Sequence, residues 1–176
     1  MFNKNDILDF IHHRSSIRDF TGEPVTEEIL LDIVKAGMAA PSANNNQPWS
    51  FIIITEKKIM QELAKNLPFA KMLDKAGGAI VVCGTPDYKN SELSHYWVQD
   101  CSAATQNILL AVEAFGLGAV WTGVCPRKER IEWVKEVLKI PDEVIPLNVI
   151  PIGYPSKAPQ IKDKFKPDKI HKNKWF

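Results

Sequence analysis

Ala40-Pro-Ser-Ala-Asn-Asn-Asn-Gln-Pro-Trp49-Ser-Phe-Ile-Ile-Ile-Thr55 joins a polar loop to a run of aromatic and β-branched residues. The run 49–55 is apolar without alternation, which is typical of a strand covered on both faces. The loop holds Ser42, three consecutive Asn and Gln47 between two prolines. Side-chain amides both donate and accept, so they can bind a ring edge that alternates C=O and N–H groups. An ordinary turn is the alternative interpretation, because Asn and Pro are common turn residues.

Helical and extended patterns alternate on both sides of this stretch, which predicts a mixed α/β domain. Helices are predicted at 6–13, 27–39, 56–66, 92–115 and 126–138, and further strands at 79–83, 118–124 and 147–152. Residues 103–115 are apolar nearly all round, which favours a central helix or one in a subunit interface. Pro146 and Pro151 lack the N–H that a central strand donates, so the last strand is predicted at a sheet edge.

Length and composition limit the classes of protein to which this chain can belong. The 176 residues, 45% hydrophobic and 24% charged, are typical of one globular domain. The sequence contains no run near the ~18 apolar residues of a membrane span, and it does not open with a basic-then-apolar leader. These features predict a cytoplasmic protein with no membrane partner. The net charge of +1 gives no indication of nucleic-acid binding.

The sequence predicts neither metal binding nor disulfide bonds for its cysteines and histidines. Cys83, Cys101 and Cys125 each lie among apolar neighbours, which favours small buried hydrophobic residues. Their number is odd and no C-x-x-C is present, so neither a disulfide framework nor a zinc ribbon is predicted. The four His residues are not at metal-ligand spacing.

Arg14-Ser-Ser-Ile-Arg18 concentrates hydrogen-bond donors. In an extended segment Arg14, Ser16 and Arg18 lie on one side, which suits a phosphate or another anionic oxygen. A solvated loop with surface ion pairs is the alternative.

Two later segments offer weaker signals. The glycines of Gly116-Leu-Gly-Ala-Val-Trp121-Thr-Gly-Val-Cys-Pro126 would let backbone approach a flat ligand, with Trp121 as a wall and Thr122 as a hydroxyl. A tight helix-to-strand connection is the alternative. Residues 151–176 carry seven Lys against two Asp and end in Trp175-Phe176. The lysines could fold over a phosphate or form a solvated basic face, and the aromatics are predicted to dock on their own body or a partner's.

In this order the segments resemble the nitroreductase family of FMN-dependent oxidoreductases. Arg14-Ser-Ser-Ile-Arg18-Asp-Phe20 is similar to the family's R-[RS]-S-[IV]-R-x-[FY], and Ala40-Pro-Ser-Ala-Asn-Asn-Asn-Gln-Pro-Trp49 to its A-P-S-x-x-N-x-Q-P-W. Gln106-Asn107 leads into the glycine-rich segment as in the family, and Gly153-Tyr-Pro155 precedes a basic end. The resemblance covers nearly the whole chain.

The resemblance implies an α+β fold with a central, mainly antiparallel sheet flanked by helices. It implies a single FMN-binding domain over 1–176, an intertwined homodimer with flavin sites at the interface, and a basic tail, 154–176, docked on the dimer. The implied cofactor-binding residues are Arg14, Ser15, Ser16 and Arg18 near the phosphate and pyrimidine; Ser42, Asn44 or Asn45, and Gln47 from the other subunit; Trp121, Thr122 and Gly123 behind the ring; and Lys162 and Lys164 in the tail. The family often has an Arg at these tail positions, and Lys offers a point charge instead of a fork.

The implied activity is a ping-pong cycle in which NADH or NADPH reduces FMN and a nitroaromatic, a quinone or a similar flat acceptor reoxidises it. No catalytic side chain is predicted, because the chemistry belongs to the flavin. Arg14 and Arg18 would favour the negative charge that the flavin gains on reduction. The open alternatives are an FMN-binding protein without turnover, a flavin-fragmenting or dehalogenating relative, and nucleic-acid binding through the lysines, which the acidic body disfavours. The sequence does not distinguish NADH from NADPH, nor identify the acceptor.

Overall fold

The computed structural model describes residues 3–87 and 95–175. The helices are α1 (Lys4–His13), α2 (Glu27–Met38), α3 (Lys57–Asn66), α4 (Tyr96–Ala114) and α5 (Lys128–Leu138), and the strands are β1 (Trp49–Ile54), β2 (Gly78–Gly84), β3 (Gly118–Ala119), β4 (Thr122–Gly123) and β5 (Ile145–Gly153). The predicted elements are confirmed to within a few residues, except the strand 118–124; residues 92–94 of the predicted long helix lie outside the described ranges. Within those ranges, the structure has no helix with the length and apolar character of a membrane span.

The strands form one antiparallel sheet in the order β1-β2-β5-β3, with β4 also paired to β5. The prediction of an edge position for the last strand is therefore wrong, since β5 lies between β2 and β3/β4. Two irregularities accommodate its prolines. The pairing with β2 shifts register beside Pro146, and the pairing with β3 and β4 is interrupted opposite Pro151.

That interruption also corrects the single strand predicted over 118–124. Gly118 pairs with Gly153 and Gly123 with Asn148 in one continuous register, so Val120 lies opposite Pro151. The carbonyls of Leu147 and Val149 face this side of β5, and alternation places the Pro151 nitrogen there as well. Because proline has no N–H to donate, the strand divides into β3 and β4.

Strand β1 is an edge strand whose two faces pack on the two cores, as its sequence predicts, although this cover is only partial. Within one chain Trp49, Phe51, Ile52 and Ile53 are only half-buried, and Ser50 is exposed. Only β2 pairs with β1 among the described strands. An apolar edge of this kind is normally protected by further structure.

Helices cover both faces of the sheet, as the α+β class requires. Alternate residues of β2 divide between two cores: Ile80 and Val82 pack with α2 and α4, whereas Val81 packs with α3 and α5. Every residue of β2 is buried. The predicted antiparallel sheet flanked by helices is confirmed, with α4 as the central helix on its face.

The N-terminus of α2 forms as its sequence predicts. The Thr26 side chain caps the helix by accepting a hydrogen bond of 3.4 Å from the Ile29 N–H. Glu27 and Glu28 occupy the first turn, where the helix dipole favours acidic groups. Val25, before the cap, and Leu30 belong to the same core cluster, so cap and core fix the helix start together.

The cysteines are free, and two of them are buried as predicted. Burial raises the pKa of Cys83 to about 12 and that of Cys101 to about 12, and it raises the pKa of the half-buried Cys125. Because the thiolate is the nucleophile, thiols with such pKa values are inert at neutral pH.

We therefore expect the native protein at pH 8 to react with Ellman's reagent at Cys125 only, and slowly. At that pH, far below the raised values, Cys83 and Cys101 remain protonated and shielded. In denaturant all three thiols are expected to react at once. Rapid labelling of Cys83 or Cys101 in native protein, located by mass spectrometry, would contradict the packing of α4 on β2.

The end of the chain does not dock on its own body. The Trp175 side chain is 85% exposed and only stacks on His171, with ring centroids 4.1 Å apart. Phe165 is also exposed. Docking on a partner stays a prediction, and Phe176 lies outside the described residues.

Candidate functional site

A cationic cavity of about 250 Å³ lies between the end of α1 and the basic tail. Its lining residues are His12, Arg14, Ser15, Ser16, Arg18, Gln160, Ile161, Lys162 and Lys164. The structure thus unites the predicted arginine cluster with the two predicted tail lysines. No described lining residue is acidic, so the cavity presents concentrated positive charge without an internal counter-ion.

The arginine segment is held against β3 by backbone contacts. The Ile17 N–H donates to the Ala119 carbonyl at 2.9 Å, and Ser16 forms a parallel bridge with Ala119. Gly118 allows this approach, because a Cβ there would lie 2.7 Å from the Ile17 Cβ. The glycine is therefore required by close packing, and it fixes where Arg14 and Arg18 stand.

Backbone hydrogen bonds also fix the start of the tail. The Thr21 N–H donates to the Tyr154 carbonyl at 3.0 Å, and the Ser156 N–H donates to the Asp19 carbonyl at 3.0 Å. On the other side, His13 at the end of α1 pairs through Nδ1 with Glu113 of α4. Arg14 follows His13 directly, so a side-chain contact precedes the cluster and backbone hydrogen bonds follow it.

The side chain of Ser15 indicates that this cavity binds a ligand. Its hydroxyl oxygen is buried and has no hydrogen-bond partner among the described residues. Buried polar atoms are nearly always hydrogen-bonded, so an unpaired one beside four cationic side chains suits an oxyanion. A phosphate group fits the donors present.

The segment after β3 leads away from this cavity to a second predicted part of the site. Trp121 is 37% exposed. Thr122 is buried, and its hydroxyl donates to the Val149 carbonyl at 2.5 Å, so the predicted ligand hydroxyl is already engaged. Gly123 is exposed, and a Cβ built there meets no described atom within 4 Å. The space in front of Gly123 is open to a flat ligand.

The predicted amide loop is not part of the cavity within one chain. Ser42 accepts a hydrogen bond of 3.0 Å from the Gln47 N–H, and the Gln47 side chain donates to the Asn45 carbonyl oxygen at 3.0 Å. Turn chemistry therefore accounts for Ser42, Asn45 and Gln47. The exposed Asn44, at φ 52°, makes no side-chain hydrogen bond among the described residues.

Sequence reasoning missed three polar residues of the site region, as well as the apolar Ile161, which also lines the cavity. His12 and Gln160 line the cavity, and their closeness in sequence to Arg14 and Lys162 was the available signal. Arg130 lies near Gly123, to whose carbonyl it donates at 3.0 Å. Nothing in the sequence links Arg130 to Gly123, because the contact depends on how α5 packs.

The antiparallel sheet covered by helices, with a cationic cavity at its margin, defines an α+β protein, and known proteins share this fold. A crystal structure from Parabacteroides distasonis, with a provisional assignment as NADH dehydrogenase/NAD(P)H nitroreductase, matches with TM-score 0.90 and 47% identity, covering 98% of this chain and 100% of that one. A protein of Methanothermobacter thermautotrophicus with the same provisional assignment is 43% identical over 173 residues, 98% of this chain and 90% of the relative. An FMN-dependent nitroreductase from Clostridium difficile has TM-score 0.86 and 28% identity, covering 96% of this chain and 99% of that one.

The chain belongs to the nitroreductase family, whose sequence model matches residues 11–68 and 60–154. The resemblance found in the sequence is thereby confirmed.

Proposed function

We propose that the protein is an FMN-dependent oxidoreductase that uses NADH or NADPH to reduce nitroaromatic, quinone or similar flat acceptors. The observation that carries this proposal is the cationic cavity with the unpaired Ser15 hydroxyl. Family membership and the likeness to an FMN-dependent nitroreductase support it.

The side chains that line the cavity would each bind the phosphate in a different way. Arg14 offers a planar fork suited to two phosphate oxygens, and Ser15 can donate its hydroxyl to a third. Lys162 and Lys164, which line the same cavity, contribute positive charge from the tail. Arg18 is exposed at its edge and can extend toward the ring, where it would stabilise the negative charge of the reduced cofactor.

Ala119, which anchors Ser16, and Gly123 are four residues apart on one edge of the sheet, about 13 Å at 3.3 Å per residue. This spacing lets a ligand held by its phosphate at the cavity lay a flat ring over Gly123. Trp121 would flank the ring, and Thr122, locked to Val149, would hold the backbone in place. Asn44 of the partner subunit has a free amide with which to bind the ring edge.

FMN supplies the redox chemistry: NAD(P)H, a proton and a quinone yield NAD(P)+ and the hydroquinone. The protein contributes binding, charge and an open face. None of its side chains needs to act as an acid, because the region in front of Gly123 is open to solvent, which can supply protons.

We infer a homodimer that completes the site. Ile7, Leu8 and Ile11 form one apolar side of α1 and are exposed in the single chain, as is Phe115 after α4. Exposed apolar residues on amphipathic helices indicate a protein interface. Light scattering is expected to give twice the chain mass of 19.8 kDa; a monomer that binds FMN with full affinity would contradict a shared site.

Initial-rate kinetics test the proposed activity. Oxidation of NADH or NADPH should depend on added FMN and on menadione or nitrofurazone as acceptor. Double-reciprocal plots at several acceptor concentrations should give parallel lines, as a ping-pong cycle requires. FMN binding without steady-state oxidation of either nucleotide would indicate a binding, fragmenting or dehalogenating role instead.

A further inference from the structure

A further cationic side chain, Arg130, lies beside the open space at Gly123 and is not part of the lining of the phosphate cavity. Arg130, in the first turn of α5, is half-buried and donates from its guanidinium to the Gly123 carbonyl at 3.0 Å. Its guanidinium carbon also lies 5.9 Å from the centroid of the Phe69 ring. These two contacts hold the guanidinium at the margin of the proposed ring site.

The position is fixed by packing between α3 and α5. The Trp133 indole, on the same helix as Arg130, donates to the Leu63 carbonyl at 3.4 Å. Phe69 follows α3 and is 74% exposed, so an aromatic face remains in solvent next to the cation. A cation over an aromatic face at this distance is attracted to it, which preorganises the guanidinium.

Arg130 has unused binding capacity. A guanidinium carries five N–H donors, and the bond to Gly123 is the only side-chain hydrogen bond of Arg130 within the described ranges. No described carboxylate lies within ion-pair distance of it. A held, half-buried guanidinium without an acidic partner attracts an anionic group.

The size of the space indicates what kind of group enters. Phe69, Gly123 and Arg130 line a cleft of about 20 Å³ together with Leu67 and Pro68. A volume of that order holds about one water molecule, so it can receive a single oxygen atom of a substituent and not a whole substrate.

We propose that Arg130 and Phe69 form a subsite for an anionic substituent, a carboxylate, sulfonate or phosphate, on the flat acceptor that stacks on the flavin ring. This inference rests on the proposed function, because it requires the flavin ring to lie over Gly123, beside Arg130. It defines a specificity: acceptors with a negative group next to the ring are preferred over their neutral analogues.

The test uses naphthoquinone and naphthoquinone sulfonate on the FMN-loaded enzyme. Flavin is first reduced anaerobically by NADH, and the second-order rate of reoxidation is then measured for each quinone. For each protein, the rate constant with naphthoquinone sulfonate is divided by the rate constant with naphthoquinone, and this ratio is compared between variants. The difference in reduction potential between the two quinones is the same for every variant, so it cancels. Arg130→Gln is expected to lower this ratio about tenfold, the loss of a charge-assisted hydrogen bond, with little change for the neutral quinone.

Two further variants distinguish direct binding of the sulfonate by Arg130 from a structural effect of the substitution and from a general effect of positive charge. Arg130→Lys keeps the charge without the fork and should recover part of the ratio. Lys128→Gln removes an exposed cation from the same helix and should leave the ratio unchanged. An unchanged ratio in Arg130→Gln, or an equal fall in Lys128→Gln, overturns the subsite while the wild-type reduction by NADH leaves the proposed function standing. Wild-type protein that takes up no FMN, or whose FMN neither nucleotide reduces, overturns both.

Discussion

Replacing Arg14 and Arg18 together by alanine is expected to weaken FMN binding about a hundredfold. Each guanidinium can make charge-assisted hydrogen bonds worth roughly 1.5–3 kcal/mol, or about tenfold or more in the dissociation constant. Arg18→Ala alone should give about a tenfold loss. The dissociation constant is measured by quenching of flavin fluorescence during titration of the apoprotein.

The matched control is Lys166→Ala with Lys169→Ala, which removes the same charge from exposed tail positions outside the cavity lining. This control should change the dissociation constant less than threefold at ~0.15 M salt, where screening weakens distant charges. If the control loses as much affinity as the arginine variant, general attraction accounts for binding. If neither variant loses affinity, the flavin phosphate does not bind in this cavity.

Gly118→Ala is expected to damage both the fold and the site without touching a polar group. Its Cβ would stand 2.7 Å from the Cβ of Ile17, so the arginine segment must move off β3. Overpacking of this kind costs about 1–3 kcal/mol, which lowers the melting temperature of a chain of this size by roughly 2–12 °C. FMN affinity should fall by about tenfold because Arg14 and Arg18 lose their position.

Gly123→Ala separates the two effects, because its Cβ meets no described atom within 4 Å. The apoprotein should melt as the wild type does, whereas FMN binding should still weaken, since the methyl group enters the proposed ring space. Calorimetry of the apoproteins and flavin titration measure both quantities. An apoprotein of Gly118→Ala as stable as the wild type would show that the arginine segment is not packed tightly on β3.

The sequence predicts this fold well wherever local chemistry determines the outcome. Thr26 caps α2 because a hydroxyl before two glutamates favours a helix start in almost any context. The strand β2 can be predicted because every one of its residues is buried, and α4 because its apolar residues supply a large part of one core cluster. The edge prediction for β5 fails because a proline's missing N–H can be accommodated inside a sheet by a bulge at Pro146 and a gap opposite Pro151. Residue composition alone does not show such an accommodation.

In the candidate site, too, the features set by local sequence could be predicted and those set by contacts between distant segments could not. Arg14, Arg18 and the tail lysines were predictable as donors, but their convergence depends on the backbone bonds that tie Thr21 to Tyr154. For the amide loop, the sequence left open whether Asn44 or Asn45 faces a ligand. The structure engages Asn45 with Gln47 and leaves Asn44 available. Arg130 was not predictable, because its contacts with Gly123 and Phe69 join segments distant in sequence.

An anaerobic absorption spectrum is the most direct test of whether the protein binds FMN and reduces it with NADH or NADPH. Apoprotein is loaded with FMN, excess flavin is removed, and NADH and then NADPH are added without oxygen. We expect the protein to retain the flavin bands, which should bleach when at least one of the two nucleotides is added and return when menadione is added. Flavin that washes away, or bound flavin that neither nucleotide bleaches, would contradict this expectation.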